Sequence, residues 1–253
     1  MLKKSRAIAL RELGSEPYVS VLCYPRPTKA ETRKRLRELQ RLGVTALEFA
    51  GEKEAFNVPI LGKGCVGIVT LAHRKNERVA LKIRRVDADR ARMQREAKLL
   101  KKANTVQVGP RLLDVSRDFL LMQFIDGVLL PEWLKKGRVK KHVRAVLRGV
   151  LEQCWHLDKI GLDHGELSHA PKHIIVSNEG KPVIVDFETA SLNRRPSNVT
   201  SVCQFLFLGS ETAKRVAERL GEIDKKAIVE VLRLYKNDKT FEHFGRVLEV
   251  CRL

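Results

Sequence analysis

Apolar and polar residues follow strand-like and helix-like periods in turn, and the changes of period divide the chain into three parts. Residues 1–57 contain a continuous apolar, β-rich run at 18–24 that predicts a strand. The capping-box residues Thr28 and Glu31 then predict a helix that ends at Gly43. We therefore predict a small α/β extension at the start of the chain.

Residues 58–125 have a strand pattern interrupted by one helix. Two apolar runs, 68–72 and 79–83, flank a polar turn and predict a hairpin. Over 87–102, apolar residues recur every three or four positions, which predicts a helix with one apolar side, and two short strands are expected within 115–125. This part is predicted to be a β-rich N-lobe.

Residues 126–253 have a mainly helical pattern, including a helical tail from about 199 onward. Two compact apolar runs, 173–176 and 182–185, are separated by a polar turn and predict a second small hairpin. Strands first and helices afterwards predict an α+β fold in two lobes, with residues 126–253 as the helical C-lobe.

The charge of the chain indicates the kind of partner it has. The 253 residues include 49 Lys and Arg against 30 Asp and Glu, a formal net charge of +19. Such an excess attracts polyanions and favours nucleic acid over an anionic membrane as the partner. A highly charged surface of the thermophilic kind is the alternative explanation. We expect the first predicted helix to present a basic face to solvent and to RNA, formed by Arg33, Lys34, Arg35, Arg37 and Arg41.

Other sequence features bear on the compartment. No apolar run approaches the roughly 20 residues of a membrane-spanning helix, and the first residues lead into no signal peptide. We therefore expect a soluble cytoplasmic protein with no membrane partner. The five cysteines are scattered without Cys-x-x-Cys spacing, so we expect buried free thiols and no zinc site.

A glycine-rich segment precedes the predicted hairpin. Residues 62–69 fit the pattern G-x-G-x-x-G-x-V, in which glycines let backbone amides approach phosphate oxygens. A dinucleotide-binding domain would continue into a helix, whereas a strand follows here, and no Gly-Lys-Ser/Thr sequence is present for a P-loop. The candidate nucleotide-binding residues of this segment are Gly62, Gly64, Gly67 and Val69.

The next strand carries a lysine in a kinase-like setting. The sequence Val-Ala-Leu-Lys at 79–82, with Ala80 as a further nucleotide contact, resembles the kinase strand whose lysine binds the α- and β-phosphates. Glu96 on the following helix is expected to hold Lys82 as an ion pair. A later segment looks like the linker between kinase lobes, where backbone groups are expected to meet adenine near Gln123 and Ile125.

The C-lobe supplies the complementary motifs. The sequences His-Gly-Glu-Leu-Ser at 164–168 and Asp-Phe-Glu at 186–188 resemble the catalytic loop and metal-binding motif of atypical kinases. Asp186 is expected to bind the magnesium ion on the phosphates, because a hard divalent ion prefers carboxylate oxygen. Glu166 stands where the catalytic aspartate is usual, and it either acts as a base or orients the attacking hydroxyl.

His173 departs from the usual motif. It stands where a metal-binding asparagine is expected, in a loop lengthened by two residues, and neutral imidazole is a poor magnesium ligand. We expect either one dominant metal or a different acceptor geometry, with His173 or Lys172 near the phosphate. A pseudokinase is the alternative, although Lys82, Glu96 and Asp186 argue for phosphoryl transfer.

With these motifs, the chain resembles the small atypical kinases of RIO type, and no Ala-Pro-Glu motif follows Asp186. His-Gly-Glu-Leu-Ser, Pro-Lys-His at 171–173 and Asp-Phe-Glu, together with the basic extension, are most similar to the archaeal RNA kinase family. The resemblance implies a bilobal protein-kinase-like fold with a shortened C-lobe, ATP and Mg²⁺ as cofactors, and phosphorylation of the 2′-hydroxyl of a variable-loop uridine in tRNA. DNA, which lacks this hydroxyl, is not an expected partner.

The candidate RNA contacts are basic residues of the extension and of the C-lobe: Arg33, Lys34, Arg35, Arg37, Lys135, Lys136, Lys140 and Lys141. Two other functions remain open. One is a RIO-like serine/threonine protein kinase or ATPase in ribosome or tRNA maturation, for which RNA binding explains the same charge. The other is a non-catalytic ATP-binding RNA module, favoured if Glu166 and His173 mark a decayed site.

Overall fold

The computed structural model describes residues 7–137 and 139–253, apart from the side chain of Arg90. Two parts of the chain lie outside the described residues. One is residues 1–6, on which the prediction of no signal peptide rests, and the other is Arg138, in the predicted basic stretch of the C-lobe. The chain divides into two compact units. Unit 1 comprises the residues up to Lys98 and Arg111–Phe124, and unit 2 comprises Leu99–Pro110 and Ile125–Leu253.

Unit 1 is built on a seven-stranded sheet with the order β1-β2-β6-β7-β9-β8, in which β5 also pairs with β6. A separate hairpin is formed by β3 and β4. The strands are β1 (Ala7–Ala9), β2 (Val44–Glu48), β3 (Lys53–Ala55), β4 (Val58–Ile60), β5 (Gly62–Lys63), β6 (Gly67–Arg74), β7 (Glu77–Arg84), β8 (Leu112–Val115) and β9 (Phe119–Gln123). The helices are α1 (Tyr18–Leu22), α2 (Lys29–Arg41) and α3 (Arg90–Asn104), which ends in unit 2; Leu10–Glu12 form a 3₁₀ turn.

The two faces of the seven-stranded sheet pack against different elements. Ile68, Leu81 and Ile83 join a core that includes residues of α1 and α2. On the other face, Met93 and Ala97 of α3 pack against Leu120 of β9. The predicted extension therefore shares a sheet and a core with the predicted N-lobe, and the division at residue 57 separates no compact unit.

One predicted strand is wrong. Residues 18–24 contain the helix α1 in place of a strand. The side chains of residues 19–22, including that of Ser20, are all buried, so the run has no solvent-facing polar stripe from which a helical period is readable. The Ser20 hydroxyl donates over 2.8 Å to the carboxylate of Glu16, which precedes the helix.

The capping signals of α2 are confirmed. The Thr28 hydroxyl accepts a hydrogen bond from the Glu31 N–H over 3.2 Å at the start of the helix. After the helix, Gly43 adopts a φ of +72°, a left-handed conformation that costs little for glycine. The predicted β6–β7 hairpin and the helix predicted over 87–102 are also present.

Unit 2 contains a three-stranded sheet in the order β10-β11-β12, which α4 and α5 contact. The strands are β10 (Gly127–Leu129), β11 (Ile174–Ser177) and β12 (Pro182–Ile184), so the predicted second hairpin is confirmed. The helices are α4 (Leu130–Lys135), α5 (Lys140–Lys159), α6 (Asn198–Cys203), α7 (Glu211–Leu220), α8 (Lys225–Asn237) and α9 (Phe241–Val250). Leu167–His169 form a 3₁₀ turn and Gln204–Leu208 a π-helical turn.

A buried carboxylate connects the helices of unit 2. Asp158 near the end of α5 accepts hydrogen bonds from the side-chain amide of Asn198 over 2.7 Å and from the hydroxyl of Tyr235 over 2.9 Å. These donors belong to α6 and α8. Because a buried polar group is stable only when it is hydrogen-bonded, Asp158 fixes the three helices in one arrangement.

Two expectations about the chain as a whole have outcomes in the structure. Four cysteines are buried as free thiols, whereas Cys65 in the glycine loop is exposed, contrary to the prediction. Within the described residues, no helix combines the length and the apolar character that crossing a membrane requires. The α+β class, with strands in the first unit and helices in the second, is confirmed.

Candidate active site

The predicted lysine and glutamate form an ion pair in unit 1. Nζ of Lys82 on β7 donates to Oε2 of Glu96 on α3 over 2.7 Å. Their side chains are only 6% and 3% exposed. Two opposite charges removed from water are stable together and costly apart, so each side chain determines the position of the other.

Lys82 shares its face of the sheet with two other predicted nucleotide contacts. Val69 lies directly opposite Lys82 on the neighbouring strand, and Ala80 lies two residues before it. Since side chains alternate along a strand, all three project from the same face. Val69 and Ala80 are half-buried, unlike the fully buried residues of the other face.

The glycine loop turns tightly between β5 and β6. The N–H of Gly64 donates to the carbonyl of Gly67 over 2.9 Å. A β-carbon on Gly67 would come within 2.5 Å of the carbonyl oxygen of Ile83. At Gly62 a β-carbon would meet Val69 at 3.7 Å, an ordinary contact. Gly67 is thus required by the adjacent strand itself, and the phosphate contacts of the three glycines stay a prediction.

The two predicted adenine contacts at the linker, Gln123 and Ile125, belong to different units. The N–H of Gln123 donates to the carbonyl of Arg111 over 2.8 Å, so this group is used within unit 1 and is unavailable to adenine. The Gln123 side-chain oxygen accepts from the Arg111 N–H over 3.3 Å. Ile125 belongs to unit 2 and is half-buried, and its contact with adenine stays a prediction.

The predicted catalytic loop in unit 2 is held at its first residues. The backbone N–H of His164 donates to the side-chain oxygen of Asn198 over 2.8 Å. Its ring Nε2 donates to the carbonyl of Val185 over 3.1 Å. The next residue, Gly165, has a φ of +92°, and a β-carbon there would come within 2.5 Å of the Arg194 guanidinium. These contacts therefore fix the conformation of the backbone that leads into Glu166.

Three of the predicted site residues converge in unit 2. Glu166 follows Gly165, His173 precedes β11 and Asp186 comes shortly after β12. One ligand atom from each of these three side chains lies within 4.8 Å of the other two. Nε2 of His173 is 3.4 Å from Oε2 of Glu166. The side chain of His173 is 1% exposed and that of Glu166 is 36% exposed, so a solvent-facing carboxylate lies beside a buried imidazole.

The backbone and packing of the Asp-Phe-Glu motif fix the position of Asp186. Asp186 has a φ of +70°, a left-handed conformation that aspartate tolerates better than most residues. The buried ring of Phe187 contacts the ring of His164 edge to face, with centroids 5.1 Å apart. It also lies against Gly109, where a β-carbon would come within 2.8 Å of the ring.

Burial keeps both histidines of the site neutral. Burial, with a smaller contribution from His173, lowers the pKa of His164 to about 4. Burial likewise lowers the pKa of His173, although the carboxylates of Glu166 and Asp186 act in the opposite direction. The cluster therefore contains two carboxylates and a neutral imidazole.

Comparison with known protein families identifies this arrangement. The RIO domain matches residues 70–200, just over half of the chain. The chain belongs to the RIO domain family. The matched span includes the ion pair of unit 1 and the three converging residues of unit 2: Lys82, Glu96, Glu166, His173 and Asp186.

A curated relative of the RIO-domain chain is similar over a comparable stretch. It is a probable serine/threonine-protein kinase of Streptomyces coelicolor, 28% identical over 148 residues. The alignment covers 52% of this chain and 22% of that protein, so the chain spans less than a quarter of the relative's length. The RIO domain and this relative both support a kinase, that is, a phosphotransferase.

Kinases generally use ATP and Mg²⁺, and the RIO-domain site fits Mg²⁺ in part. Asp186 and Glu166 offer the carboxylate oxygens that this ion prefers, and they would hold it. His173 offers a nitrogen atom, which Mg²⁺ rarely accepts. When bound, Mg²⁺ neutralises charge on the phosphates.

The structure corrects one predicted RNA contact, which lies N-terminal to the residues that the RIO domain matches. Arg35 is fully buried, and its Nη1 donates to the carbonyls of Leu22 and Arg84 over 2.6 and 2.7 Å. The residues of α2 that are buried, Thr32, Arg35 and Leu39, follow helical spacing, so Arg35 lies on the inward stripe. Arg35 attaches α2 to β7 and is not part of an exposed basic face.

The other basic residues of α2 remain near the surface. Arg33, Arg37 and Arg41 are exposed, and Lys34 is half-buried because it forms an ion pair with the buried carboxylate of Asp118. A shallow groove of about 320 Å³ runs along this side of the helix. It is lined by Ala30, Arg33, Lys34, Arg37 and Arg41, which we call the α2 basic groove.

The predicted RNA contacts of unit 2 are all exposed. Lys135 and Lys136 lie at the end of α4, and Lys135 forms an ion pair with Glu132 over 2.6 Å. Lys140 and Lys141 lie in the first turn of α5. Their role in RNA binding stays a prediction.

Sequence reasoning missed two residues that support the site, Asn198 and Gly109. The serine before Asn198 signals the start of a helix, but no local pattern connects Asn198 with His164, to which it is hydrogen-bonded. Gly109 is readable as a turn residue, yet its contact with the Phe187 ring depends on packing.

Proposed function

We propose that this chain is an ATP-dependent RNA kinase that transfers the γ-phosphate of ATP to a ribose 2′-hydroxyl of tRNA, at a variable-loop uridine by the resemblance noted above. The observation that carries the RNA substrate is the α2 basic groove, which lies outside the RIO match in a chain with a net charge of +19. Arg and Lys side chains bind a phosphate backbone by releasing its counterions, which strengthens binding at low salt. In this proposal the activity is cytoplasmic.

The ATP-binding roles follow from the chemistry of the residues. The ammonium of Lys82, held by Glu96, would bind the α- and β-phosphates. The glycine loop would contribute backbone N–H groups to the phosphates. Asp186 would hold the metal ion, so that phosphoryl transfer depends on positioning and charge neutralisation more than on covalent catalysis.

Glu166 is the residue proposed to act on the acceptor. Its carboxylate is 36% exposed, whereas the His173 imidazole is buried, so Glu166 is accessible to an incoming ribose. The carboxylate would accept a hydrogen bond from the 2′-hydroxyl and orient its oxygen toward the γ-phosphorus. His173, 3.4 Å away, limits the directions in which this carboxylate turns.

The proposal is tested by incubating the protein with γ-labelled ATP, a divalent ion, unmodified tRNA transcript and a generic protein substrate. A DNA copy of the transcript is the matched acceptor control, because it lacks 2′-hydroxyls. The Asp186→Asn variant is the control for contaminating kinases. We expect label in the tRNA alone, resistant to ordinary phosphatase because the phosphate is internal, and no label with the variant.

A serine/threonine protein kinase or ATPase in ribosome or tRNA maturation is the second candidate. It is favoured by the similarity to the probable serine/threonine-protein kinase of Streptomyces coelicolor. Label in protein alone, including the kinase itself, would favour this candidate and make the α2 basic groove a site for ribonucleoprotein binding. ATP binding without any transfer would instead favour a non-catalytic RNA module.

A further inference from the structure

The cluster of Glu166, His173 and Asp186 has the dimensions of a metal site. One donor atom from each side chain lies within 4.8 Å of the other two. Around an ion with bonds of about 2.1 Å, adjacent donors are about 3 Å apart and opposite donors about 4 Å apart. Small side-chain rotations are enough to bring all three donors to one ion.

The backbone brings the imidazole and the aspartate to this position. The N–H of Val185 donates to the carbonyl of His173 over 2.9 Å, which continues the pairing of β11 with β12. Residues 173 and 186 therefore lie at the same end of this hairpin. The arrangement depends on main-chain pairing.

The Nε2 atom of His173 faces the Glu166 carboxylate without an ordinary hydrogen bond to it. The side chain is 1% exposed, and its Nε2 is 3.4 Å from Glu166, longer than an ordinary hydrogen bond. Within the part of the chain that the structure describes, Nδ1 has no hydrogen-bond partner. The 3.4 Å between Nε2 and Oε2 instead lies between the separations of adjacent and opposite donors around a single ion.

The donor set determines which ion is suitable. Mg²⁺ takes oxygen donors in octahedral geometry, whereas imidazole nitrogen suits first-row transition ions. Two carboxylates with one imidazole also suit Mn²⁺, which accepts phosphate oxygens in the same way as Mg²⁺. His173 is therefore the residue that makes this site differ from an all-oxygen magnesium site.

We propose that Glu166, Nε2 of His173 and Asp186 together bind a divalent transition ion, and that the site prefers Mn²⁺ to Mg²⁺. The inference deepens the proposed function and rests on it only for the use of the bound ion in phosphoryl transfer. Binding of the ion itself requires neither ATP nor RNA.

Mn²⁺ binding to the full chain, without nucleotide, is measured from the electron paramagnetic resonance signal of the free ion, with Mg²⁺ as competitor. We expect one Mn²⁺ per chain, displaced only by a large excess of Mg²⁺. In His173→Asn, an oxygen donor replaces nitrogen, and we expect Mn²⁺ affinity to fall by at least about tenfold and its preference over Mg²⁺ to shrink. His169→Asn, an exposed histidine of the same loop, is the matched control and should bind as the wild type does.

Pulsed paramagnetic resonance adds a readout of direct coordination. Modulation from an imidazole ¹⁴N nucleus is expected in the wild type and in His169→Asn, and is expected to be lost in His173→Asn. Thermal unfolding establishes that the variant is folded, and His173→Gln serves in its place if it is not. Absence of Mn²⁺ binding, or binding without the ¹⁴N signal, would overturn the inference even if the protein phosphorylates tRNA. Conversely, a nitrogen-ligated Mn²⁺ in a protein that labels no RNA would overturn the RNA substrate alone.

Discussion

Lys82 and Glu96 are connected by a 2.7 Å hydrogen bond between side chains that are almost completely removed from solvent. The ion pair joins the central strand of unit 1 to α3. Burial makes the pair a structural element as well as a candidate part of the ATP site, because neither charge is stable there alone.

Variants of the Lys82–Glu96 ion pair distinguish a loss of stability from a loss of catalysis. Lys82→Met removes the ammonium that neutralises the buried Glu96 carboxylate and is expected to cost about 3–5 kcal/mol of unfolding free energy. The double variant Lys82→Met/Glu96→Gln removes both charges and is expected to recover much of that loss, while both variants lose transfer. Denaturant unfolding and label transfer measure the two effects, and a single variant as stable as the wild type would contradict the buried-pair interpretation.

Asp186→Asn is expected to abolish phosphoryl transfer without unfolding the protein. Asparagine tolerates the φ of +70° at this position and keeps the shape of the side chain, so the unfolding free energy should change by no more than about 1 kcal/mol. The measurements are transfer from γ-labelled ATP and thermal unfolding. Near-normal transfer by a folded variant would remove Asp186 from the metal-binding role.

Charge reversal in the α2 basic groove is expected to weaken tRNA binding selectively. The variant Arg33→Glu/Arg37→Glu/Arg41→Glu leaves the buried Arg35 intact, and each lost phosphate contact should reduce the slope of log affinity against log salt by about 1. ATP binding should not change.

The matched control for this variant reverses three exposed basic residues of α8, namely Lys225, Lys226 and Arg233. It has the same net charge as the α2 variant. Equal loss of tRNA affinity in the two variants would show that overall charge, and not the groove, binds the RNA.

The stability of the protein should fall as the pH falls from about 6.5 to about 4. The pKa of His164 is lowered to about 4 in the folded state, mainly by burial, from 6.5. In this range the unfolded chain takes up a proton that folded His164 does not, so acid favours unfolding. The contribution reaches about 3 kcal/mol near pH 4. Relative to wild type, His164→Gln should have a shallower pH dependence of unfolding free energy between pH 7 and pH 4, and parallel curves would contradict the assignment.

Gly109 and Gly161 allow the Phe187 contact to be tested against backbone strain. Both have positive φ, +82° and +74°, but a β-carbon meets the Phe187 ring only at Gly109, while nothing lies within 4 Å at Gly161. Gly161→Ala is expected to cost about 1–2 kcal/mol from backbone strain alone. Gly109→Ala should cost a further 1–3 kcal/mol or so from overpacking, and it should also reduce transfer because Asp186 precedes the displaced ring. Equal costs would show that the ring moves away freely.

The sequence by itself determined the features that depend on local spacing. The β6–β7 hairpin, α2 with its Thr28 cap, α3 and the second hairpin follow from hydrophobic period and turn residues, and the kinase-like motifs identified Lys82, Glu96, Glu166 and Asp186 as candidates. Residues 18–24 show the limit of this reasoning, because a segment buried at four successive positions has no polar stripe from which a period is readable.

Tertiary structure alone decided which of these side chains are buried and which meet. Arg35 lies among basic residues in the sequence, yet the packing of α2 on the sheet buries it. Its guanidinium donates hydrogen bonds to main-chain carbonyls of distant segments. His173 gains its significance from Glu166 and Asp186, which pairing of β11 with β12 and the turn at Gly165 bring beside it. Local propensity carries no information about such contacts, because they form between residues far apart in the chain and depend on the packing of the whole unit.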